Sequence, residues 1–472
     1  MIDTISLKTS LIDLAVSGRL STEFQAEDSV SEIIEKLPTP SNKRKKLLGQ
    51  AFEYGKQSDI PDNWRWMPLG EITSYGDTPV KANTSHVSDD TWILDLEDIK
   101  AGGELLTKTR ANEKQFAGEK TVFHSGQVLY SKLRPYLKKV LVADEDGIST
   151  PELISFDVFG GILPQYIVCC LLDSFTNRAI DKRSYGIKMP RIDAGFMVNL
   201  PLPVPPISEQ KFIINRLETA FSLIDTIESL QLEYASNHEK LKSKLIDAAI
   251  QGKLTESLPE DGTAEELFKK IQEEKAILNK EGKIKKEKAS LEVTDEEKYF
   301  DIPVSWKWIR LKDICTKIVD GDHNPPSGVK EKTDYIMLSA QNIINDRIEN
   351  LEKVRYLSQN VFSEEDKRTR LEKNDVLLTI VGTIGRSCVY QGGYNYCFQR
   401  SVSVITTLAD PRYLKYVFDV SYIQKFMETN ATGAAQLGFY LNKLEKLVIP
   451  LPPMEEQSRI ADKIDQLLSL LR

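Results

Sequence analysis

Apolar residues recur every seventh position across the middle of the chain: Ile213, Ala220, Ile227, Tyr234, Leu241 and Ala248 form one row, and Leu217, Ile224 and Leu245 a second. That period predicts one long coiled-coil helix after Gln210, with Glu209 in its first turn, favourable for the helix dipole, and Gly252 near its stop. Gln231 and His238 interrupt the second row, and His238 is expected to set register as a polar core residue. Leu7, Leu11 and Leu14, with Ile460, Ile464, Leu467 and Leu471, continue the pattern in two pieces, which predicts a partner helix split between the ends of the chain. Elsewhere the pattern changes to short β-branched runs punctuated by Gly, Asp and Asn, such as Thr121–Phe123, Val128–Tyr130, Asp375–Val381 and Ser401–Thr406. Blocks 60–206 and 302–453 therefore read as mixed α+β, with helices expected near Pro164–Arg178 and Pro411–Met427.

The chain repeats itself. Ile60-Pro-Asp-Asn-Trp-Arg-Trp66 recurs as Ile302-Pro-Val-Ser-Trp-Lys-Trp308, and Leu202-Pro-Val-Pro-Pro-Ile-Ser-Glu-Gln210 as Ile449-Pro-Leu-Pro-Pro-Met-Glu-Glu-Gln457. Leu7-Lys-Thr-Ser-Leu-Ile-Asp-Leu-Ala-Val-Ser-Gly-Arg-Leu20 recurs as Leu241-Lys-Ser-Lys-Leu-Ile-Asp-Ala-Ala-Ile-Gln-Gly-Lys-Leu254. A fixed internal offset means that one structural unit is used twice. The first piece matches the end of the central segment and the last piece matches its beginning, so the order is that of a two-fold cycle cut open. Arg472 corresponds to Asp225 and Met1 to Ala235, and the two chain ends are expected to lie near each other. In each Trp-x-Trp one ring is expected to anchor the core, and the Pro-Pro signals to end a strand and admit a helix.

Composition changes this picture in two respects. The chain has 472 residues, 41% hydrophobic and 28% charged, a globular balance with room for two or three domains. Its longest apolar stretch, Ile162–Leu172, is interrupted by Pro164 and Gln165 and is too short to span a bilayer, and the N-terminus carries Asp3 and Asp13 rather than a secretory signal. A cytoplasmic protein is expected. Cys169, Cys170, Cys315, Cys388 and Cys397 form no C-x-x-C pair and read as reduced, buried thiols. The net charge of −8 does not advertise nucleic acid, so any such role must come from local patches. Three basic clusters stand out: Lys132, Arg134, Lys138 and Lys139; Lys182, Arg183, Lys188 and Arg191; and Lys367, Arg368, Arg370 and Lys373. The lysine-rich runs Lys280–Lys298 and Ser41–Asp59 read as helix ends and linkers with solvated faces.

No phosphate loop or dinucleotide loop is found, and Asn324-Pro-Pro-Ser327 lacks the aromatic residue that would stack on a flipped base. The histidines His86, His124, His238 and His323 are scattered without metal-ligand spacing. In combination and order, the paired Trp-x-Trp openings, Pro-Pro-x-x-Glu-Gln exits and Leu-Ile-Asp helix ends resemble the specificity subunits of type I restriction-modification enzymes. The resemblance covers essentially the whole chain. It extends to Gly126-Gln-Val-Leu-Tyr-Ser-Lys-Leu-Arg-Pro-Tyr136 and Asp320-Gly-Asp-His-Asn-Pro-Pro326.

The resemblance implies an α+β chain with two target-recognition domains of mixed α/β type, separated by long antiparallel coiled-coil helices in a pseudo-two-fold cyclic repeat. Expected segments are a helical piece and linker at 1–59, recognition domains at 60–206 and 302–453, a central helical region at 207–301 and a last helix at 454–472. It implies a non-catalytic subunit that reads a bipartite target in double-stranded DNA, one domain per half-site. Two modification (methyltransferase) subunits would dock on it, and restriction/translocase subunits would join the full complex. No cofactor is expected on this chain, the methyl donor, ATP and Mg falling to those partners.

DNA contacts require Arg and Lys on phosphates, and Arg, Asn, Gln or Thr at base edges. The candidates are Lys132, Arg134, Lys138, Lys139, Arg183, Tyr185, Lys188 and Arg191 in the first block, and His323, Arg386, Arg400, Thr432 and Gln436 in the second. Arg183-Ser-Tyr-Gly-Ile-Lys188 aligns with Asn430-Ala-Thr-Gly-Ala-Ala435, a Gly-bearing loop at equivalent places. Two alternatives remain open at this point: a methyltransferase or nuclease with its own recognition domain, and a coiled-coil interaction scaffold.

Overall fold

The structure is a computed structural model. It describes residues 1–50, 59–82, 87–114, 118–285, 290–433 and 436–471. His86, Arg472, and parts of the Ser41–Asp59 and Lys280–Lys298 runs and of the Asn430–Ala435 loop lie outside the described residues. The chain divides into two compact units, Met1–Glu233 and Tyr234–Arg472. The expected long helix is present as Ile207–Ile250, 44 residues and about 66 Å at the α-helical rise.

In the first unit the N-terminal helix Thr4–Val16 runs antiparallel to the first half of the long helix: Lys8 pairs with Asp225 at 2.5 Å, and Ser21 donates to Glu209 at 2.6 Å. In the second unit the helix Met454–Leu470 runs back beside the other half, with Leu471 at His238. Ile213, Leu217 and Ile224 are buried as the heptad predicts, but the predicted row fails in the second half. There Tyr234 and Leu241 are exposed, while Ile246, Ala249 and Ile250 take the buried face. A straight α-helix drifts about 20° per heptad. The helix also changes partner between its halves, so one seam cannot serve both. The two polar interruptions lie at the ends of the partner helices. Gln231 accepts from the Ile2 N–H in the first unit, and the His238 ring donates to the Leu471 carbonyl at 2.8 Å in the second. The Leu471 carbonyl is one that a helix C-terminus leaves unpaired, and the Ile2 N–H lies just before the N-cap Asp3.

Each mixed block begins and ends in one two-stranded antiparallel ribbon. Arg65–Pro68 pairs with Pro201–Val204, with Trp66 opposite Pro203; Lys307–Arg310 pairs with Val448–Leu451, with Trp308 opposite Pro450. The opening and exit motifs are thus partners. Gln210 accepts from the Leu163 N–H and donates to the Pro205 carbonyl; Gln457 does the same with Asp410 and Pro452. Tyr166 and Tyr413 donate to the Pro203 and Pro450 carbonyls, both at 2.9 Å. Asp13 and Asp247 accept from the Ser174 and Ser421 N–H groups. A Cβ on Gly18 would collide with Pro61, and one on Gly252 with Pro303, both at positive φ. The repeat therefore holds down to single hydrogen bonds. One asymmetry departs from expectation: Trp64 is buried and Trp66 half-buried, but Trp306 and Trp308 are both buried.

The predicted strands form at Thr121–Phe123, Val128–Ser131, Val376–Thr379 and Val402–Thr407. The predicted single helices each break in two. Pro164–Leu172 stops at Asp173, whose carboxylate accepts from the Thr176 N–H and starts Ser174–Arg183. Pro411–Asp419 stops at Val420 before Ser421–Thr429. Both breaks coincide with the Asp13 and Asp247 carboxylates, which take the first N–H of the new helix.

Candidate nucleic-acid interface

In the first unit Val128–Ser131 is the centre of a three-stranded sheet, between Val140–Val142 and Leu153–Phe156. The loop leaving its C-terminal end carries Lys132, Arg134, Lys138 and Lys139. A second loop after helix Ser174–Arg183 closes on itself by paired bonds between Tyr185 and Arg191, 3.0 and 2.9 Å. The two loops join where Leu133 bridges Arg191 and the Arg134 N–H donates to the Pro190 carbonyl at 2.7 Å. All eight candidates of the first block therefore share one face.

Their side chains are not equivalent. Arg191 grips Glu152 through two bonds, 2.9 and 3.3 Å, and Lys132 stands 4.0 Å from the same carboxylate. Glu152 offsets one of these two charges and fixes the root of the loop. Lys138 donates to the Leu172 carbonyl and Lys139 to that of Leu96, so in these bonds each ammonium is held by a backbone oxygen rather than a carboxylate. Burial lowers the Lys139 pKa, and the neighbouring Arg134 charge adds to that shift. Arg134, Arg183 and Lys188 are exposed and have no ionic partner among the described residues. A cleft of about 460 Å³ beside Arg134 and Lys139 is lined also by Asp95, Glu97, Lys114 and Met189. Arg134 and Lys138 both have left-handed backbones, φ 49° and 51°. That conformation costs a side-chain-bearing residue about 1–2 kcal/mol, the kind of strain found at functional sites.

The second unit repeats the arrangement. Its four-stranded sheet runs Cys315–Asp320, Val402–Thr407, Val376–Thr379, Ser387–Val389. Asp320 faces Ser403, Thr379 faces Val402 and Leu378 faces Ser387, so residues 320–323, 379–387 and 399–402 gather at one end. Thr432 bridges Gly438, Gly438 bridges Val381, and the Gly382 N–H donates to the Leu437 carbonyl at 3.0 Å. This is the Arg134–Pro190 bond again, with Gly382 (φ 81°) in the strained arginine's place. His323, Arg386, Arg400, Thr432 and Gln436 thus come together as expected. His323 is bonded to Asp320 at 2.7 Å, which also holds Arg368 at 2.5 Å. Arg368 belongs to a basic cluster but is not among the candidates, and its partner is 48 residues away in the chain. Among the described residues no group of His, Cys, Asp or Glu could hold a metal ion, and no helix is long and apolar enough to cross a membrane.

The likeness to known proteins follows the same plan. The model of the type I restriction modification DNA specificity domain matches residues 303–472, the second block with its last helix. The EcoAI specificity subunit of Escherichia coli aligns with 98% of this chain and 88% of its own length at 23% identity. The EcoEI specificity subunit of Escherichia coli does so over 97% and 88% at 21%. A solved chain from work on complex assembly and conformational transition of the type I R-M system shares the fold. Its TM-score is 0.59 at 17% identity, covering 88% of this chain and 92% of that one. Both repeats, and not only the matched second one, fall within these alignments, so the chain is similar along nearly its whole length to type I restriction enzyme specificity subunits.

Proposed function

We propose that this chain is the non-catalytic, sequence-reading subunit of a type I restriction-modification complex. In this reading blocks 60–206 and 302–453 are recognition domains, and 1–59, 207–301 and 454–472 form the helical frame between them. One observation carries the proposal: the same two loops, joined by the same backbone bond, recur in both units with different side chains. Arg134, Tyr185 and Lys188 stand in one, and Gly382, Thr432 and Gln436 in or beside the other. Such an arrangement suits one backbone frame that presents two different sets of groups to two halves of a DNA site. Double-stranded DNA, two modification subunits and the restriction/translocase subunits are its partners. The methyl donor, ATP and Mg belong to those partners.

The test is to exchange block 60–206 for the corresponding block of a relative and sequence the methylated bases in cells carrying the full system. One half of a bipartite motif should change and the other stay as it was. Change in both halves, or in neither, refutes independent readers.

A further inference from the structure

The loop that closes on Tyr185 and Arg191 has an unusual tip. Tyr185 is 59% exposed, Ile187 103% and Met189 49%, three large apolar groups within five residues. Single exposed apolar side chains are ordinary, but a cluster raised on an anchored loop marks a contact surface. The loop is anchored by the paired Tyr185–Arg191 bonds, the Arg134–Pro190 bond and the Arg191–Glu152 grip. Its segment Ser184–Arg191 contains no acidic residue, while Arg183, Lys188 and Arg134 surround it. Of the nearby carboxylates, Glu152 is taken by Arg191 and Lys132, and Asp95 and Glu97, which line the cleft beside Met189, are paired with Lys114 and Lys120.

An apolar tip in a cationic rim fits a polyanion that offers an apolar spot inside its charged surface. In the major groove that spot is the C5-methyl of thymine. We propose that Ile187 reads a thymine methyl group in one half-site, while the surrounding Arg and Lys side chains meet the phosphates. The assignment rests on the chain being a DNA reader. At the equivalent sequence position the second unit has Ala434, so the large apolar side chain is present in one repeat alone.

The experiment uses the complex of this chain with its modification subunits and duplexes carrying the methylated motif. Each thymine of the motif is replaced in turn by uracil, which removes only the methyl. For the unaltered complex, at least one replacement, confined to one half-site, should weaken binding about fourfold, the worth of one buried methyl. Ile187→Ala should bind the thymine duplex about as weakly and lose the difference between thymine and uracil. Ile187→Val should keep it. An unaltered complex indifferent to uracil everywhere overturns the assignment, as does an Ile187→Ala complex that still discriminates. Impaired assembly of Ile187→Ala with the modification subunits would show that the tip docks on protein, and also overturns it. If the unaltered complex cannot tell its own motif from a scrambled duplex, the broader reading falls instead.

Discussion

Lys415→Met removes the buried cation from a charged cluster in the second unit. The Lys415 ammonium, 6% exposed, bonds to Asp419 at 2.7 Å and pairs with Asp346 at 2.9 Å. Asp346 stands at the tip of the hairpin Ile343–Ile348 and is also 3.7 Å from Lys242 on the long helix. Removing one partner of a buried pair costs about 3–5 kcal/mol because the other charge is left uncompensated. Here Asp346 is 38% exposed and Asp419 also accepts from Ser387 at 3.3 Å. Both soften the loss, so about 3 kcal/mol is expected, or a Tm lower by about 6–12 °C for a unit of this size. The pH dependence identifies the cause. Burial holds the Asp419 pKa above the ordinary value. At Asp346 burial also acts upward, but the Lys415 charge, with Lys242, outweighs it and the pKa is lowered. A lowered carboxylate adds stability above its unfolded pKa, lost as pH falls through the folded one; a raised carboxylate costs stability as pH climbs through the unfolded value. Without Lys415 both carboxylates rise, and their cost, complete at neutral pH, is relieved as either takes up a proton. Thermal melts of the parent and Lys415→Met at about pH 7.5 and about pH 5.5 should show the deficit shrinking in acid. A deficit below about 1 kcal/mol at neutral pH, or one that is equal or larger in acid, refutes the account.

Two further outcomes concern the DNA-facing loops. Arg134→Gly should lower the slope of log affinity against log salt by about one, the loss of one phosphate contact. It should leave stability unchanged or raise it by up to about 1 kcal/mol, since glycine accepts the left-handed backbone; a clear loss of stability would show that the arginine is structural. Gln436→Ala should relax one position of a single half-site by about 1–3 kcal/mol, as expected for an amide paired to an adenine edge. Methylated-base sequencing reads this directly, and an unchanged motif removes Gln436 from the readers.

The repeat, the long helix and the two loop faces were legible because each is a local pattern: a heptad, a Pro-Pro step, a Gly between polar residues. The halves of the heptad row fared differently for a reason no local window contains, the change of helical partner near Tyr234. Glu209 was read as the helix-dipole residue. It does stand in the first turn, but the first N–H groups are taken by Asp28, at 2.8 Å from Ile207 and 3.2 Å from Ser208, and Glu209 also binds Ser21 and Asn63. The basic clusters located the face but could not rank its members, since Lys132 and Arg191 differ from Arg134 only through Glu152. Ile187 was passed over because an isoleucine in a turn looks like an error of the pattern until its surroundings are visible.

The ribbons that begin and end each mixed block bear on how such a chain can change over time. The helices meet each block at two strand ends held about 5 Å apart and at a few repeated contacts, Gln210 to Leu163 and Asp13 to Ser174 in one unit, Gln457 to Asp410 and Asp247 to Ser421 in the other. Any segment that closes the ribbon and keeps those contacts meets the same boundary condition, and closing a longer one costs only logarithmically more entropy. Each ribbon is therefore a socket. Lineages can rebuild, lengthen or trade the contents by recombination at two short repeated motifs, and the frame that receives the new segment has no fold to relearn.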